Sequence, residues 1–237
     1  MRIVLALIAV LALPHLARAD EGPGTIKGTV LYEGEPPERP AQKRDRDPVC
    51  AKNPQLADDV IVTKGKLKDV LVRVKNGTAG TYPAPTEPAT LDQQGCLYAP
   101  HVLGVRAGQK LRVHNGDGTF HNVHGTIAGK SAWNKPQAAK SADLSLDTST
   151  QAGDVIEIAC DVHPWMHAYA VVQDHPFFAV TDAAGTFEIK GLPAGTYTLE
   201  AWHPTFGMKT LTVKIGVGKL ASVNARFSYK QTELENK

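Results

Sequence analysis

Apolar and polar residues alternate with a period of two along most of this chain. In residues 68–77, "KDVLVRVKNG", the valines at every second position share one face, and residues 195–202, "GTYTLEAW", alternate in the same way. Such alternation indicates β-strands with one buried face. Similar stretches are separated by Gly, Pro, Asp and Asn turn residues, and no long segment has the 3.6-residue period of a helix. The pattern predicts an all-β protein built from sandwiches.

Two segments interrupt this pattern. Residues 34–49, "GEPPERPAQKRDRDPV", and residues 76–89, "NGTAGTYPAPTEPA", are rich in Pro, Gly and charge. Such composition is typical of exposed connections. The second segment is the predicted domain boundary.

The N-terminal residues 1–19 have the features of a secretory signal. Arg2 precedes a short apolar run, and Ala17-Arg18-Ala19 offers a cleavage site. The run is too short to span a bilayer, and nothing later in the chain resembles a membrane helix. We therefore expect an exported protein, periplasmic or secreted, with no membrane span.

Charge gives no indication of a polyanionic partner. The chain has 26 Lys and Arg against 24 Asp and Glu, and removal of Arg2 and Arg18 with the signal leaves 24 of each. A neutral mature chain has no electrostatic reason to bind nucleic acid or a membrane surface.

Three cysteines in an exported protein leave one without a partner. Cys50 and Cys96 lie in loop-like sequence, and we expect them to form a disulfide worth roughly 4 kcal/mol in the chain-entropy model. Cys160 is then the free thiol. A free thiol in an oxidising compartment is a liability unless it is buried or bound to a metal.

Cys160 also begins a group of possible metal ligands. In "CDVHPWM" it is followed by His163 and Met166 on one turn after a strand, and "FHNVHG" supplies His121 and His124 at the end of another strand. Two imidazoles, a thiolate and a thioether form the donor set of a blue-copper site. Zinc would accept the Cys and His ligands but gains little from a thioether. The spacing favours copper.

These two motifs resemble those of amicyanins, a family of small blue-copper cupredoxins. "CDVHPWMHAYAVV" is similar to their C-terminal copper loop, with the spacing Cys-x2-His-x2-Met, and "FHNVHG" is similar to their other ligand segment. The resemblance runs from Ala89 to Val172. It implies a cupredoxin Greek-key β-sandwich over residues 86–173 with one type 1 copper ion, whose ligands would be His121, Cys160, His163 and Met166.

The same resemblance assigns roles around the copper. Asn122 would brace the two ligand loops, and the ring of His163 would reach the surface to pass electrons. Pro164 and Trp165 beside it would offer an apolar contact for a redox partner. The period of two turns His124 to the opposite face, outside the site.

The remaining histidines are expected on the surface: His101, His114, His167, His175 and His203. His175 in "QDHPFF" and His203 in "AWHPTF" leave open a second metal site, although nothing in their spacing requires one.

The C-terminal part resembles a second β-sandwich family. Residues 181–197 combine a Thr-Asp-x-x-Gly-x-Phe turn with Leu-Pro-x-Gly-x-Tyr, which is typical of the carboxypeptidase regulatory-like, prealbumin-like (transthyretin-like) sandwich. Residues 174–230 are too short for it alone. We expect the N-terminal strands of residues 22–82 to complete it, with the cupredoxin inserted between; the alternative is that they extend the cupredoxin.

The expected function is one-electron transfer between redox proteins, such as a c-type cytochrome or a dehydrogenase. The alternative is a copper-holding or structural interaction module. An enzyme fits worse, because Cys160 lacks the flanking histidines of multicopper oxidases and no Ser-His-Asp or carboxylate pair is evident.

Overall fold

The structure is a computed structural model that describes residues 24–76, 78, 80–216 and 222–235. The predicted signal peptide, residues 1–19, lies outside these residues. Within them the chain is nearly all β-structure, which confirms the all-β prediction. No helix in the described ranges is long and apolar enough to cross a bilayer.

The strands fall into three groups along the described chain. The first group comprises β1 (Gly24–Glu33), β2 (Val62–Thr63), β3 (Lys66–Leu67) and β4 (Leu71–Asn76). The central group comprises β5 (Ala89–Gln93), β6 (Tyr98–Ala99), β7 (Val102–Arg106), β8 (Lys110–Asn115), β9 (His121–Ile127), β10 (Lys130–Gln137), β11 (Leu144–Asp147), β12 (Val155–Ala159) and β13 (His167–Gln173). The last group comprises β14 (Phe178–Val180), β15 (Thr186–Leu192), β16 (Gly195–His203), β17 (Gly207–Ile215) and β18 (Ser222–Lys230). A 3-10 helix spans Cys50–Lys52, and the short helix α1 spans Thr232–Glu235.

The central strands form two sheets of a sandwich, with the orders β10-β9-β12-β13-β7 and β11-β8-β5-β6. Strand β8 illustrates why the sequence folds this way, since Leu111, Val113 and Asn115 are buried while the residues between them are exposed. The inward rows of both sheets join in one hydrophobic cluster that also contains Cys160 and Met166. The candidate ligands therefore lie at the end of a packed core.

The first and last groups of strands share the other two sheets. Strand β1 pairs antiparallel with β15 and β3 and parallel with β18, and β4 lies between β14 and β16, with β17 at the edge. Their buried side chains form a second hydrophobic cluster. Such pairing is the arrangement expected if the central strands are inserted into the other sandwich. The boundaries 22–82, 86–173 and 174–230 stay a prediction.

The segment between β1 and β2 packs against the central sandwich. Cys50 and Cys96 are joined by a disulfide, which confirms the predicted pairing, and both are fully buried in the central core. The buried guanidinium of Arg44 donates hydrogen bonds to the carbonyl oxygens of Asn53, Gly95 and Cys96. The disulfide and this guanidinium fix residues 44–50 beside the loops that carry the candidate ligands.

A buried carboxylate in the other sandwich should make stability depend on pH. Glu200 on β16 lies 2.8 Å from Arg73 and 2.7 Å from Lys75. Burial raises its pKa, but these two cations outweigh burial and lower the pKa below its usual 4.5. The ion pairs therefore contribute stability above about pH 4.5 that is lost as the pH falls through the depressed pKa.

We expect the free energy of unfolding to fall in this acidic range, and Glu200→Gln to flatten that part of the profile. Urea unfolding from pH 6 to pH 3 measures the free energy of unfolding. Glu157 is an exposed carboxylate on β12, and Glu157→Gln is the control. An unchanged profile for Glu200→Gln would contradict the assignment.

Candidate metal centre

Two loops of the central sandwich bring the candidate ligands together. His121 begins β9, and Cys160 directly follows β12, which pairs with β9 through Ala159 and His124. His163 and Met166 lie on the loop from β12 to β13. The amide of Met166 donates to the carbonyl of His163 at 2.9 Å, and the amide of Cys160 donates to the carbonyl of Met166 at 3.3 Å. These bonds fold the loop into a tight turn.

Three ligand atoms converge in the buried space beside this turn. The Nδ1 atoms of His121 and His163 are 2.9 Å apart, and the Cys160 Sγ lies 4.0 Å and 3.7 Å from them. All three residues are buried, and one ligand atom from each lies within 4.8 Å of the others. Both imidazoles thus present the same ring nitrogen to the thiol.

A carboxylate holds the far nitrogen of each imidazole. Asp117 Oδ2 lies 2.9 Å from Nε2 of His121, and Asp47 Oδ2 lies 3.2 Å from Nε2 of His163. Thr119 also donates to Asp47 Oδ2, at 2.7 Å. Metal-binding histidines commonly donate their other N–H to a carboxylate, which fixes the tautomer and the ring orientation. The arrangement leaves both Nδ1 atoms for a metal.

The two carboxylates and the two rings perturb each other's pKa. Burial opposes ionisation of Asp117, but hydrogen bonds from His121 and from backbone amides outweigh it and lower its pKa. Burial also opposes ionisation of Asp47, whose hydrogen bonds with Thr119, two backbone amides and His163 bring its pKa down to about 2. Both groups are therefore carboxylates at neutral pH.

The two histidines differ in proton affinity. Burial disfavours the charged form of His121, but its bonds with Asp117 and Cys160 outweigh burial and raise its pKa. Burial and then the charge of His121 lower the pKa of His163. Of the two rings, His121 therefore binds a proton more readily. Because a metal binds only unprotonated imidazole nitrogens, metal affinity should fall at low pH.

The thiol of Cys160 is disposed to ionise. Burial raises its pKa, but hydrogen bonding with His121 and with backbone amides outweighs burial and lowers the pKa. The thiolate is the form that binds metals.

Asn122 connects the two ligand loops through its side chain. Its Oδ1 accepts from the Asp161 amide at 2.7 Å and lies 3.4 Å from Cys160 Sγ, while its Nδ2 donates to Asp161 and Asn134, both at 2.8 Å. The amide therefore ties the residue after His121 to the residue after Cys160.

We expect Asn122→Ala to lower the free energy of unfolding by about 1–3 kcal/mol, because a buried hydrogen-bonding group is lost and its partners are left unsatisfied. Asn134→Ala removes an exposed partner of the same network and should cost about 0.5 kcal/mol or less. Urea unfolding of the two metal-free variants measures the difference. Equal effects would show that Asn122 is not a brace.

The structure corrects the expected exposure of His163. The resemblance implies a ring edge at the surface, yet His163 is only 2% exposed. Asp47, which lies 116 residues away in the sequence, covers its Nε2. Pro164 is exposed, and the half-buried Trp165 lies with its ring 5.1 Å from that of His163 and donates to the Cys96 carbonyl at 3.0 Å.

Met166 lies under the same turn. It is fully buried and belongs to the core cluster that contains Cys160. Its amide is bonded to the His163 carbonyl and its carbonyl to the Cys160 amide, so its backbone lies beside both residues.

Three other histidines are buried, contrary to the expected surface positions: His101, His175 and His203. His175 uses both ring nitrogens, because Nε2 donates to the Val74 carbonyl at 2.7 Å and Nδ1 accepts from the Phe177 amide at 3.2 Å. These bonds leave no ring nitrogen of His175 for a second metal site. His175 and His203 pack on Phe177 and Phe206 of the second hydrophobic cluster, and His101 packs on Tyr169. Periodicity does not indicate these contacts.

The remaining histidines lie away from the centre. His124 pairs with Asp161 at 3.0 Å and is part-exposed, and His114 pairs with Asp143 at 2.7 Å on the surface. Among the described residues, no candidate group of metal ligands contains His101, His124, His175 or His203.

Sequence reasoning did not find Asp47, Thr119 or Asp117. Asp117 is four residues before His121, and a "GDG" turn before a ligand histidine is the one local signal that could have suggested it. Asp47 lies in a charged connection with nothing in its sequence to distinguish it from its neighbours.

Comparison with known proteins gives partial likenesses. No protein-family model and no curated protein matches the chain. A purple cupredoxin from Nitrosopumilus maritimus is 21% identical, with a TM-score of 0.32, over 36% of this chain and 99% of its own. A reduced amicyanin variant is 20% identical, with a TM-score of 0.33, over 43% of this chain and 99% of its own. Likenesses of this extent do not assign a function, so the function is inferred from the geometry of the site.

Proposed function

We propose that this chain is an exported type 1 copper protein that transfers single electrons between redox partners. The observation that carries the proposal is the buried convergence of two Nδ1 atoms and one Sγ. The ligands would be His121, Cys160, His163 and, as the weak axial donor, Met166.

The donor set favours copper over other common metals. Thiolate and imidazole ligands suit copper, and a distant thioether completes the arrangement of blue-copper electron-transfer sites. Bound copper would supply a one-electron couple between Cu(II) and Cu(I).

The protein groups around these ligands hold them in place. Asp117 and Asp47 orient the two imidazoles, and Asn122 joins the loops that carry His121 and Cys160. Because the ligands are fixed by hydrogen bonds before a metal arrives, the site need move little when its charge changes. Small rearrangement on reduction is what a fast electron carrier requires.

The surface beside the site supports docking of a redox protein. Phe120 and Val162, which directly precede the two histidine ligands, are 43% and 52% exposed, and Pro164 is exposed beside them. Contiguous apolar patches at a surface often mark protein contacts, and we propose that these residues form one. A c-type cytochrome or a dehydrogenase would fit such a role. A disulfide in the fold agrees with an oxidising compartment, periplasmic or secreted.

The other sandwich is proposed to be carboxypeptidase regulatory-like and non-catalytic. Hydrogen bonds stabilise both of its motif turns. Asp182 accepts from the Ala184 and Thr186 amides, both at 2.9 Å, and the Tyr197 hydroxyl donates to the Pro193 carbonyl at 2.8 Å. A fold of this kind says little about chemistry, so we assign it an interaction role.

Copper holding without rapid electron exchange is the second candidate. It is favoured by the burial of His163 beneath Asp47, which keeps the expected electron outlet from solvent. In that case copper would bind tightly but exchange electrons slowly.

Stoichiometric Cu(II) added to the exported protein tests both candidates. An intense visible band that bleaches reversibly with a reductant, together with fast oxidation of the Cu(I) form by a cytochrome c, is expected for a carrier. A blue protein that is oxidised only slowly would support copper holding. A colourless protein would contradict both.

A further inference from the structure

Residues 43–50, here called the strap, cross the loop that carries His163. The strap comes from the long connection between β1 and β2, so it is outside the strands of the central sandwich. A groove of about 390 Å³ is lined by residues 43 and 45–47 of the strap and by residues 162–165 of the loop. The strap therefore faces the metal centre from outside.

Three sets of interactions hold the strap in this position. At one end the guanidinium of Arg44 donates to carbonyls of residues 53, 95 and 96 and lies 5.5 Å from the ring of Trp165. At the other end Cys50 is bonded to Cys96. Between them Asp47 contacts His163 and Thr119.

Asp47 makes four hydrogen bonds with its two oxygens. Oδ1 accepts from the amides of Val49 at 2.7 Å and Cys50 at 3.1 Å, which fixes the carboxylate on the strap itself. Oδ2 bridges Thr119 Oγ1 at 2.7 Å and His163 Nε2 at 3.2 Å, on two separate loops of the sandwich. The carboxylate is thus the point at which the strap is fastened to the candidate centre.

We propose that the strap is a built-in cover over the Nε2 edge of His163, with Asp47 as its latch, which keeps small solutes such as exogenous imidazole or azide from this side of the centre. The inference rests on the proposed copper function and deepens it, since a cover over a ligand histidine limits its exchange with ligands from solution. Asp47 is a positioning residue, because it acts on the centre through His163.

Accessibility of His163 in the metal-free protein tests the cover. Diethyl pyrocarbonate acylates accessible imidazole nitrogens, and mass spectrometry of the peptide that contains His163 measures its rate. His114, half exposed on β8, is the reference within the same molecule. We expect His163 to react at least about tenfold more slowly than His114 in the unaltered protein, because its Nε2 is bonded and buried.

Removal of the latch should release the ring. In Asp47→Ala we expect the rate at His163, relative to His114, to rise at least about tenfold, because charged hydrogen bonds that oppose opening are lost. Thr119→Val keeps the side-chain shape and removes only the hydroxyl, so a rise of about threefold is expected. Asp45→Ala, an exposed carboxylate on the same strap, should leave the relative rate within about twofold.

Each outcome decides for or against the cover. Equal rates at His163 and His114 in the unaltered protein would overturn it, as would equal acceleration by Asp45→Ala and Asp47→Ala. If Asp47→Ala fails to fold, Thr119→Val and Asp45→Ala still decide the matter. Because labelling uses no copper, a colourless copper titration with a latch-dependent rate would remove the copper function and leave the cover standing.

Discussion

Replacing Cys160 with serine should abolish the intense visible absorption of the copper-loaded protein. The band requires charge transfer from a thiolate to copper, and a serine hydroxyl in the same place remains protonated at neutral pH. Copper affinity should fall by more than the roughly 10–100-fold that is typical when an outer hydrogen-bonding partner is lost. Absorption spectra during Cu(II) titration of both proteins measure the band and the affinity together.

Two histidine variants serve as matched controls for this result. His121→Gln removes a proposed ligand and should also abolish the band. His124 lies three residues further along β9 and pairs with Asp161 at the surface, so His124→Gln should keep the band. A band that survives in Cys160→Ser, or that is lost equally in both histidine variants, would contradict the ligand assignment.

Removal of the Cys50–Cys96 disulfide should cause the largest loss of stability. The bridge closes a loop of 46 residues in sequence separation, and the chain-entropy model assigns such a loop about 4 kcal/mol. We expect the double variant Cys50→Ser, Cys96→Ser to lower the free energy of unfolding by that order, as measured by urea unfolding of metal-free protein.

Reductant provides the control for the disulfide. The unaltered protein in a strong dithiol reductant should approach the stability of the double variant, and the double variant itself should not respond to the reductant. A loss below about 1 kcal/mol would mean that the segment is held by Arg44 and the strap contacts alone.

Much of the fold is predictable because strand formation follows local alternation. In β8 the side chains that alternate in the sequence are those that alternate between core and solvent, whereas in β16 Glu200 breaks the alternation because it is buried in ion pairs with Arg73 and Lys75. The disulfide follows from counting, since only two cysteines lie in loop-like sequence. The histidines at 101, 175 and 203 are predicted less well, because their burial depends on contacts that are remote in sequence: His101 lies beside Asp58 and Tyr169, His175 donates to the Val74 carbonyl, and His203 packs on Tyr229.

The candidate site likewise has a part that the sequence predicts and a part that it does not. Cys160, His163 and Met166 are close in sequence on one turn, so their proximity is a property of local backbone geometry and the sequence alone determines it. Asp47 and the burial of His163 depend on a segment that is 116 residues distant and reaches the centre only through the Cys50–Cys96 bridge and the packing of Arg44. Only the tertiary structure decides such contacts, because they arise from the packing of whole segments against each other and leave no periodic trace in the chain.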